Sequence, residues 1–142
     1  MPLRLFLTLA FPCLLFHASV RTAAGQTKDP IDAALNACLD SPTGYSTVGQ
    51  TDCAAKAAIA WESELNKIYG KLMRQLDPAS QALLRTSQQQ WLAFREAERK
   101  FQAGPWTRDK GTLMGVTIAL KNVDIVRSRV LTLRHYAGEN PK

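Results

Sequence analysis

The chain has 142 residues, of which 46% are hydrophobic, and its 18 Lys and Arg against 12 Asp and Glu give a formal charge of +6. This length accommodates one ordinary domain with a single small core and excludes a large two-domain enzyme. The apolar fraction also excludes a chain that is disordered throughout.

Residues 1–24 have the pattern of a secretory signal peptide. Arg4 precedes an apolar run from Leu5 to Phe16, and small residues follow at Ala23 and Ala24. The run is too short to cross a bilayer, which takes about 20 apolar residues. We therefore predict a periplasmic or secreted protein whose mature domain is residues 25–142.

Cleavage after Ala24 would remove Arg4, Arg21 and Cys13, so the mature chain would carry a charge of +4 and two cysteines. An even cysteine count in an exported chain favours a disulfide, here between Cys38 and Cys53. Closing such a loop contributes about 3 kcal/mol to stability. Two buried free thiols are the alternative, favoured only if the protein stays in the cytosol.

No segment alternates apolar and polar residues, so we predict an all-α fold, a small antiparallel helical bundle with one short and three long helices. Asp29-Pro30 starts the first helix, which ends near Leu39. Thr47 and Gln50 predict a capping box for a second helix over 48–76.

Asp77-Pro78 repeats the start signal, and it predicts a third helix over 79–102 that forms a hairpin with the second. Thr112 is expected to cap a fourth helix over 113–136. Apolar spacing predicts the buried faces of these helices. The second contributes Cys53, Ala57, Trp61, Leu65, Ile68, Leu72 and Leu76, and the fourth Leu113, Val116, Leu120, Val123, Val130 and Leu133, interrupted by Arg127. On the third helix, Leu84, Gln88, Trp91, Arg95 and Glu98 lie on one line.

The catalytic inventory of the predicted mature chain is thin. His135 is its one histidine, no nucleophile motif accompanies it, and neither HExxH nor CxxC occurs. The acid pairs Glu62/Glu64 and Glu96/Glu98 are two residues apart, a spacing that puts them on different faces of a helix. We predict a non-enzymatic protein without catalytic residues, metal ligands or a cofactor.

Charge is divided unevenly along the chain. Residues 29–64 hold six acids and one base, whereas residues 99–134 hold eight bases and two acids. The two segments could neutralise each other within the bundle, or the basic one could form a face for an acidic partner. Nucleic acid is not expected as that partner, because no recognition motif or stacking platform is present.

The three tryptophans have different settings. Trp61 and Trp91 lie at apolar-face spacing on long helices and are predicted core residues. Trp106 lies in the loop before the fourth helix with Arg108 and Lys110, and Trp and Arg are frequent interface anchors. We predict Trp106, Arg108 and Lys110 as a partner-binding site; the alternative is that Trp106 folds back over the end of the bundle.

Three helical segments carry a recognisable pattern of residues: Leu65-Asn66-x-x-Tyr69, Leu84-x-x-x-Gln88-x-x-Trp91-x-x-Phe94-Arg95-Glu96-Ala97 and Arg129-Val130-x-x-Leu133. In this order they resemble the LprI-type lysozyme-inhibitor family of small exported bacterial helical domains. The resemblance covers roughly residues 35–136 and includes Cys38 and Cys53. These motif residues look structural rather than catalytic.

The chain departs from the family pattern at one crosslink. Arg99 replaces the family's usual cysteine after the second motif, and Lys121 or Asn122 stands in place of its partner. The resemblance therefore implies that a second disulfide is missing and that the third and fourth helices are linked more loosely.

The resemblance implies a protein that binds lysozyme or a related cell-wall hydrolase and inhibits it. A different class of function is an envelope structural or stress protein that contacts anionic cell-wall or lipid surfaces through its basic face.

Overall fold

The computed structural model of the protein describes residues 29–139, which form helices joined by short turns. The four α-helices are α1 (Pro30–Leu39), α2 (Thr47–Gln75), α3 (Pro78–Gln102) and α4 (Thr112–Tyr136). Two 3-10 turns, Pro42–Tyr45 and Pro105–Thr107, connect α1 to α2 and α3 to α4. The prediction of an all-α bundle with one short and three long helices is confirmed, and the predicted signal peptide lies outside the described residues.

Both Asp-Pro signals begin helices, as predicted. The Asp29 carboxylate accepts a hydrogen bond from the Ile31 N–H at 2.9 Å, and Pro30 is the first residue of α1. The Asp77 carboxylate accepts from the N–H groups of Ala79 and Ser80 at 2.9 and 3.0 Å. Each aspartate thus satisfies donors that the first turn of a helix leaves without a helical partner.

The other two cap predictions are wrong by one residue. Ser46, rather than Thr47, caps α2, because its hydroxyl accepts the Gly49 N–H at 3.0 Å. The Gln50 side chain donates to the Gly44 carbonyl at 3.0 Å instead of completing a capping box. At α4, Thr112 is already helical and the residue before it is Gly111, with φ of +73°.

The core lies mainly between α2 and α4, with α1 packed against α2. The buried side chains of α2 are Cys53, Ala54, Ala57, Trp61, Leu65, Ile68 and Leu72, and those of α4 are Val116, Val123, Val126, Val130 and Leu133. The predicted row of α2 is confirmed apart from Leu76, which is half-buried. The row of α4 is wrong at Leu113, which is exposed, and it missed Val126; Leu120 is half-buried. Of the described helices, none is long and apolar enough to cross a membrane.

Helix α3 is packed more lightly than α2 and α4. Leu84 is its one buried residue in the described structure, and Trp91 is half-buried at the edge of the core. Polar contacts supply much of its attachment to α2: Arg95 pairs with Glu62, and the Gln81 amide donates to the Met73 and Leu76 carbonyls. Grooves therefore remain on both sides of α3.

The cap at Asp77 predicts an acid-sensitive step in stability. Hydrogen bonds from the Ser80 hydroxyl and N–H lower the pKa of Asp77 below its ordinary value. A carboxyl with a lower pKa in the folded state stabilises the fold above its unfolded pKa, and this contribution is lost as pH falls through the folded pKa. We expect Asp77→Ala to lower the melting temperature at pH 6 and the difference from wild type to narrow below about pH 4. Melting curves across this range check it, and a difference that stays constant with pH would contradict it.

Candidate protein-binding surface at the α3–α4 loop

The loop from α3 to α4 is built by close backbone contacts at the end of α3. The Ala103 N–H donates to the Arg99 carbonyl and the Gly104 N–H to the Phe101 carbonyl, both at 3.0 Å. A Cβ on Gly104 would lie 2.9 Å from the Phe101 carbonyl oxygen, so a larger residue would disturb this turn. The loop therefore leaves the helix in a defined direction.

Trp106 folds back onto the end of α3. Its indole N–H donates to the Phe101 carbonyl at 2.6 Å, and the two rings stack with centroids 4.9 Å apart. The Trp106 residue nevertheless remains 42% exposed and Phe101 60% exposed. The loop thus presents an anchored aromatic pair to solvent, with the orientation of Trp106 set by the hydrogen bond.

Cations flank this aromatic pair along the chain. Arg108 and Lys110 are exposed and form no ion pair within the part of the chain that the structure describes. Arg99 and Lys100 lie in the last turn of α3, and the Lys100 ammonium is 3.9 Å from Glu96. The exposed residues Phe101, Trp106, Arg108 and Lys110 are together called the loop surface below.

The basic helix α4 is partly neutralised by the acidic N-terminal segment. The Arg127 guanidinium bonds Asp32 at 2.8 Å, and Arg134 bonds Asp29 at 2.6 Å and Glu64 at 2.7 Å. The hydrogen bond to Asp32 raises the pKa of Arg127. Burial by itself would lower the pKa of Arg134, but the bonds to Glu64 and Asp29 together outweigh burial and raise it. These pairs reduce the charge that a basic face of α4 could offer to an anionic surface.

Side chains of the metal-ligating types do not cluster in the described structure. Among residues 29–139, no three His, Cys, Asp or Glu side chains lie together as a metal-binding group. The structure also confirms the disulfide between Cys38 and Cys53, so those thiols are engaged with each other.

Comparison with known proteins identifies the family. Residues 38–133 match the family described as lysozyme inhibitor LprI. The chain belongs to the LprI family. This match covers the disulfide, all of α2 and α3, and most of α4.

A solved structure from Burkholderia thailandensis, of a protein described as uncharacterised, has the same fold. Its TM-score with the LprI-family chain is 0.72 and its sequence is 31% identical, over 78% of this chain and 55% of that protein. The chain thus spans little more than half the length of its structural relative. No curated protein matches the chain.

The LprI-like motif residues occupy three settings. Leu65 and Leu133 are in the core. Asn66, Tyr69 and Gln88 line the groove between α2 and α3, where Asn66 is exposed. Trp91, Arg95 and Arg129 attach α3 to its neighbours: the Arg95 guanidinium lies 5.5 Å from the Trp91 ring and pairs with Glu62, and Arg129 Nε donates to the Gln88 side chain at 3.0 Å.

Two structural features of the surface were missed at the level of sequence. Phe101, the stacking partner of Trp106, was not predicted, although its position five residues before Trp106 with Gly104-Pro105 between them is a usable signal. Arg129 was assigned to the bundle motif, yet it also lines a groove between α3 and α4.

Proposed function

We propose that the protein is an exported, non-enzymatic inhibitor of lysozyme or of a related peptidoglycan hydrolase, and that it blocks the target's active site with the loop surface. Membership of the LprI family supports the inhibitor function. The observation that favours the loop surface is the anchored pair of Phe101 and Trp106 beside two exposed cations without ion-pair partners.

The chemistry of the target explains why cations would be useful at this position. Glycoside hydrolases of this kind act through two carboxyl groups in an open cleft. A guanidinium or ammonium group brought into that cleft would form charge-assisted hydrogen bonds with a carboxylate. An aromatic ring already held in one orientation loses little conformational entropy on binding and fills a sugar-binding cleft well.

Net charge works against a fast encounter. A chain with a charge of +4 after cleavage approaches a basic lysozyme against long-range repulsion, which slows association. At an ionic strength of 0.1 M, salt screens this repulsion between charges more than about 10 Å apart. We therefore place the attraction in short-range contacts of the loop surface rather than in steering.

The first experiment compares the loop with a charge-matched control. We expect Arg108→Ala/Lys110→Ala to raise the inhibition constant against a susceptible lysozyme about ten-fold or more, which corresponds to losing about 1.4 kcal/mol of binding free energy. The control, Arg74→Ala/Arg85→Ala, removes the same charge from exposed sites near the α2–α3 connection, away from the loop, and should inhibit like wild type.

The second measurement tests the inhibitor function separately from the role of the loop surface. Purified protein should inhibit at least one of several lysozymes and elute with it as a complex from a sizing column. If the protein neither inhibits any of these lysozymes nor forms a complex with one, the inhibitor function is refuted. Inhibition that the loop and control variants weaken equally would refute the loop surface alone.

A further inference from the structure

A second candidate site lies on the side of the bundle, between α3 and α4. The groove there has a volume of about 520 Å³. This is within the range of about 300–1,000 Å³ that is usual for small-ligand sites. It contains none of Phe101, Trp106, Arg108 and Lys110, so it is separate from the loop surface.

The middle of the groove is lined by aromatic and aliphatic side chains. Trp91 and Phe94 contribute from α3 and Ile125 from α4. Phe94 is 52% exposed, although an aromatic side chain gains most by burial. Trp91 is held in place by Arg95, whose guanidinium lies 5.5 Å from the indole ring. The groove therefore offers a partly exposed apolar platform.

The two ends of the groove differ in charge. At one end, Arg129 donates to the Gln88 and Ser87 side chains at 3.0 and 3.1 Å, both neutral groups. No carboxylate of the described chain pairs with Arg129, and burial lowers its pKa. A guanidinium nevertheless stays protonated at neutral pH and can donate further hydrogen bonds to an anion.

The opposite end carries charged and amide side chains. Lys121 is matched there by Asp124, with 3.3 Å between the ammonium and the carboxylate, while Glu98 forms no ion pair within residues 29–139. Gln102 also lines this end. From Trp91 to Gln102 along α3 the groove extends about 16 Å at 1.5 Å per residue.

We propose that this groove binds an N-acetylated amino sugar that carries a carboxylate. The carboxylate would pair with Arg129, the ring and the acetamido methyl would lie against Trp91, Phe94 and Ile125, and hydroxyl groups would donate to Glu98. A single cation without a carboxylate partner, next to an aromatic platform and a hydroxyl acceptor, complements such a sugar better than it complements a peptide, which would require more backbone partners than these helix faces present. This inference does not depend on inhibition of lysozyme.

The test uses two sugars that differ in the carboxylate-bearing group. N-acetylmuramic acid and N-acetylglucosamine are titrated into the purified protein, and the indole N–H resonances of its three tryptophans are followed by NMR. We expect N-acetylmuramic acid to shift the Trp91 signal and to bind at least ten-fold more tightly than N-acetylglucosamine. Glucuronic acid and a short acidic peptide are titrated for comparison and should bind more weakly.

Two variants locate the binding. Arg129→Gln should abolish the preference for the acidic sugar. Phe94→Ala, at a half-exposed position, should weaken both sugars, whereas Leu83→Ala, on the same helix but outside the groove, should weaken neither. Absence of any Trp91 shift, equal binding of the two sugars, or tighter binding of glucuronic acid or the peptide would each overturn the proposal. Because no lysozyme is present, failure here is distinguishable from failure of the inhibitor function.

Discussion

Trp61→Ala should destabilise the protein more than any other tryptophan substitution, by about 3–5 kcal/mol. Trp61 is fully buried in the core between α2 and α4. The guanidinium groups of Arg127 and Arg134 lie 5.9 and 5.6 Å from its ring, and these arginines carry the ion pairs that join α4 to α1 and α2. Removing the indole leaves a cavity under both of them, and a small domain has only about 5–15 kcal/mol of stability in total.

The other tryptophans provide an internal scale for this measurement. Trp91 is half-buried and Trp106 exposed, so urea unfolding followed by circular dichroism should give a smaller loss for Trp91→Ala and less than about 1 kcal/mol for Trp106→Ala. Trp61→Phe keeps most of the packing, and it removes an indole N–H that has no partner among the described residues. It should therefore cost much less than Trp61→Ala. Equal losses at Trp61 and Trp106 would contradict the packing described here.

Helix boundaries were predictable where the chain carries two agreeing local signals. Asp29-Pro30 and Asp77-Pro78 each combine a capping carboxylate with a proline suited to the first helical position. At the start of α2, Ser46 and Thr47 are adjacent hydroxyl residues, and either can cap a helix. The choice of Ser46 depends on the contact between the turn and α2, where the Gln50 side chain reaches the Gly44 carbonyl.

The sequence predicts which face of a helix is buried, but not how far along the helix the burial extends. The apolar spacing of α4 places Leu113 on the buried side of the helix, but it does not tell how far along α4 the neighbouring helices reach, and Leu113 is exposed. In the predicted row of α4, Arg127 is an interruption. In the structure, Val126 takes the core position, and Arg127 lies over Trp61 and pairs with Asp32. Such a pairing joins residues 95 positions apart, which no local pattern contains.

The sequence predicts which residues belong to the candidate site, but it does not predict how their side chains are arranged. Trp106, Arg108 and Lys110 are neighbours in the chain, so their proximity followed directly. Whether Trp106 points outward or folds back depends on the turn at Gly104 and on the stack with Phe101. The structure combines the two alternatives, since Trp106 folds back and the residue is still 42% exposed.

The distribution of charge acquires a structural meaning from these pairings. Arg127 and Arg134 are engaged by carboxylates of α1 and α2, while Arg129 lies on another side of α4 and contacts only neutral partners in the described chain. The arginines of this one helix thus have two different roles. This explains why the loop cations and Arg129, rather than α4 as a whole, are the groups to test for binding.

Removing the disulfide is expected to have the second large effect, and the effect should begin at α1. Cys38→Ala/Cys53→Ala opens a loop with a sequence separation of 15 residues, which costs about 3 kcal/mol in chain entropy. Helix α1 has no fully buried residue, so the disulfide supplies a large part of its attachment to α2. Alanine is chosen because Cys53 is buried, and a serine hydroxyl there would need a hydrogen-bond partner.

Without the disulfide, α1 would be held mainly by the contacts of Ile31 and Leu35 with the core and by the pairs Asp32–Arg127 and Asp29–Arg134. Partly exposed ion pairs contribute little on their own, so local opening of α1 should precede global unfolding. Hydrogen exchange should then show faster exchange of the amides of α1 in the double variant, with those at the centre of α2 still protected. Wild type treated with a reductant is the matched control and should behave in the same way. Unchanged protection of α1 in both samples would mean that packing and ion pairs suffice to hold this helix, and the disulfide would then act on the unfolded chain alone.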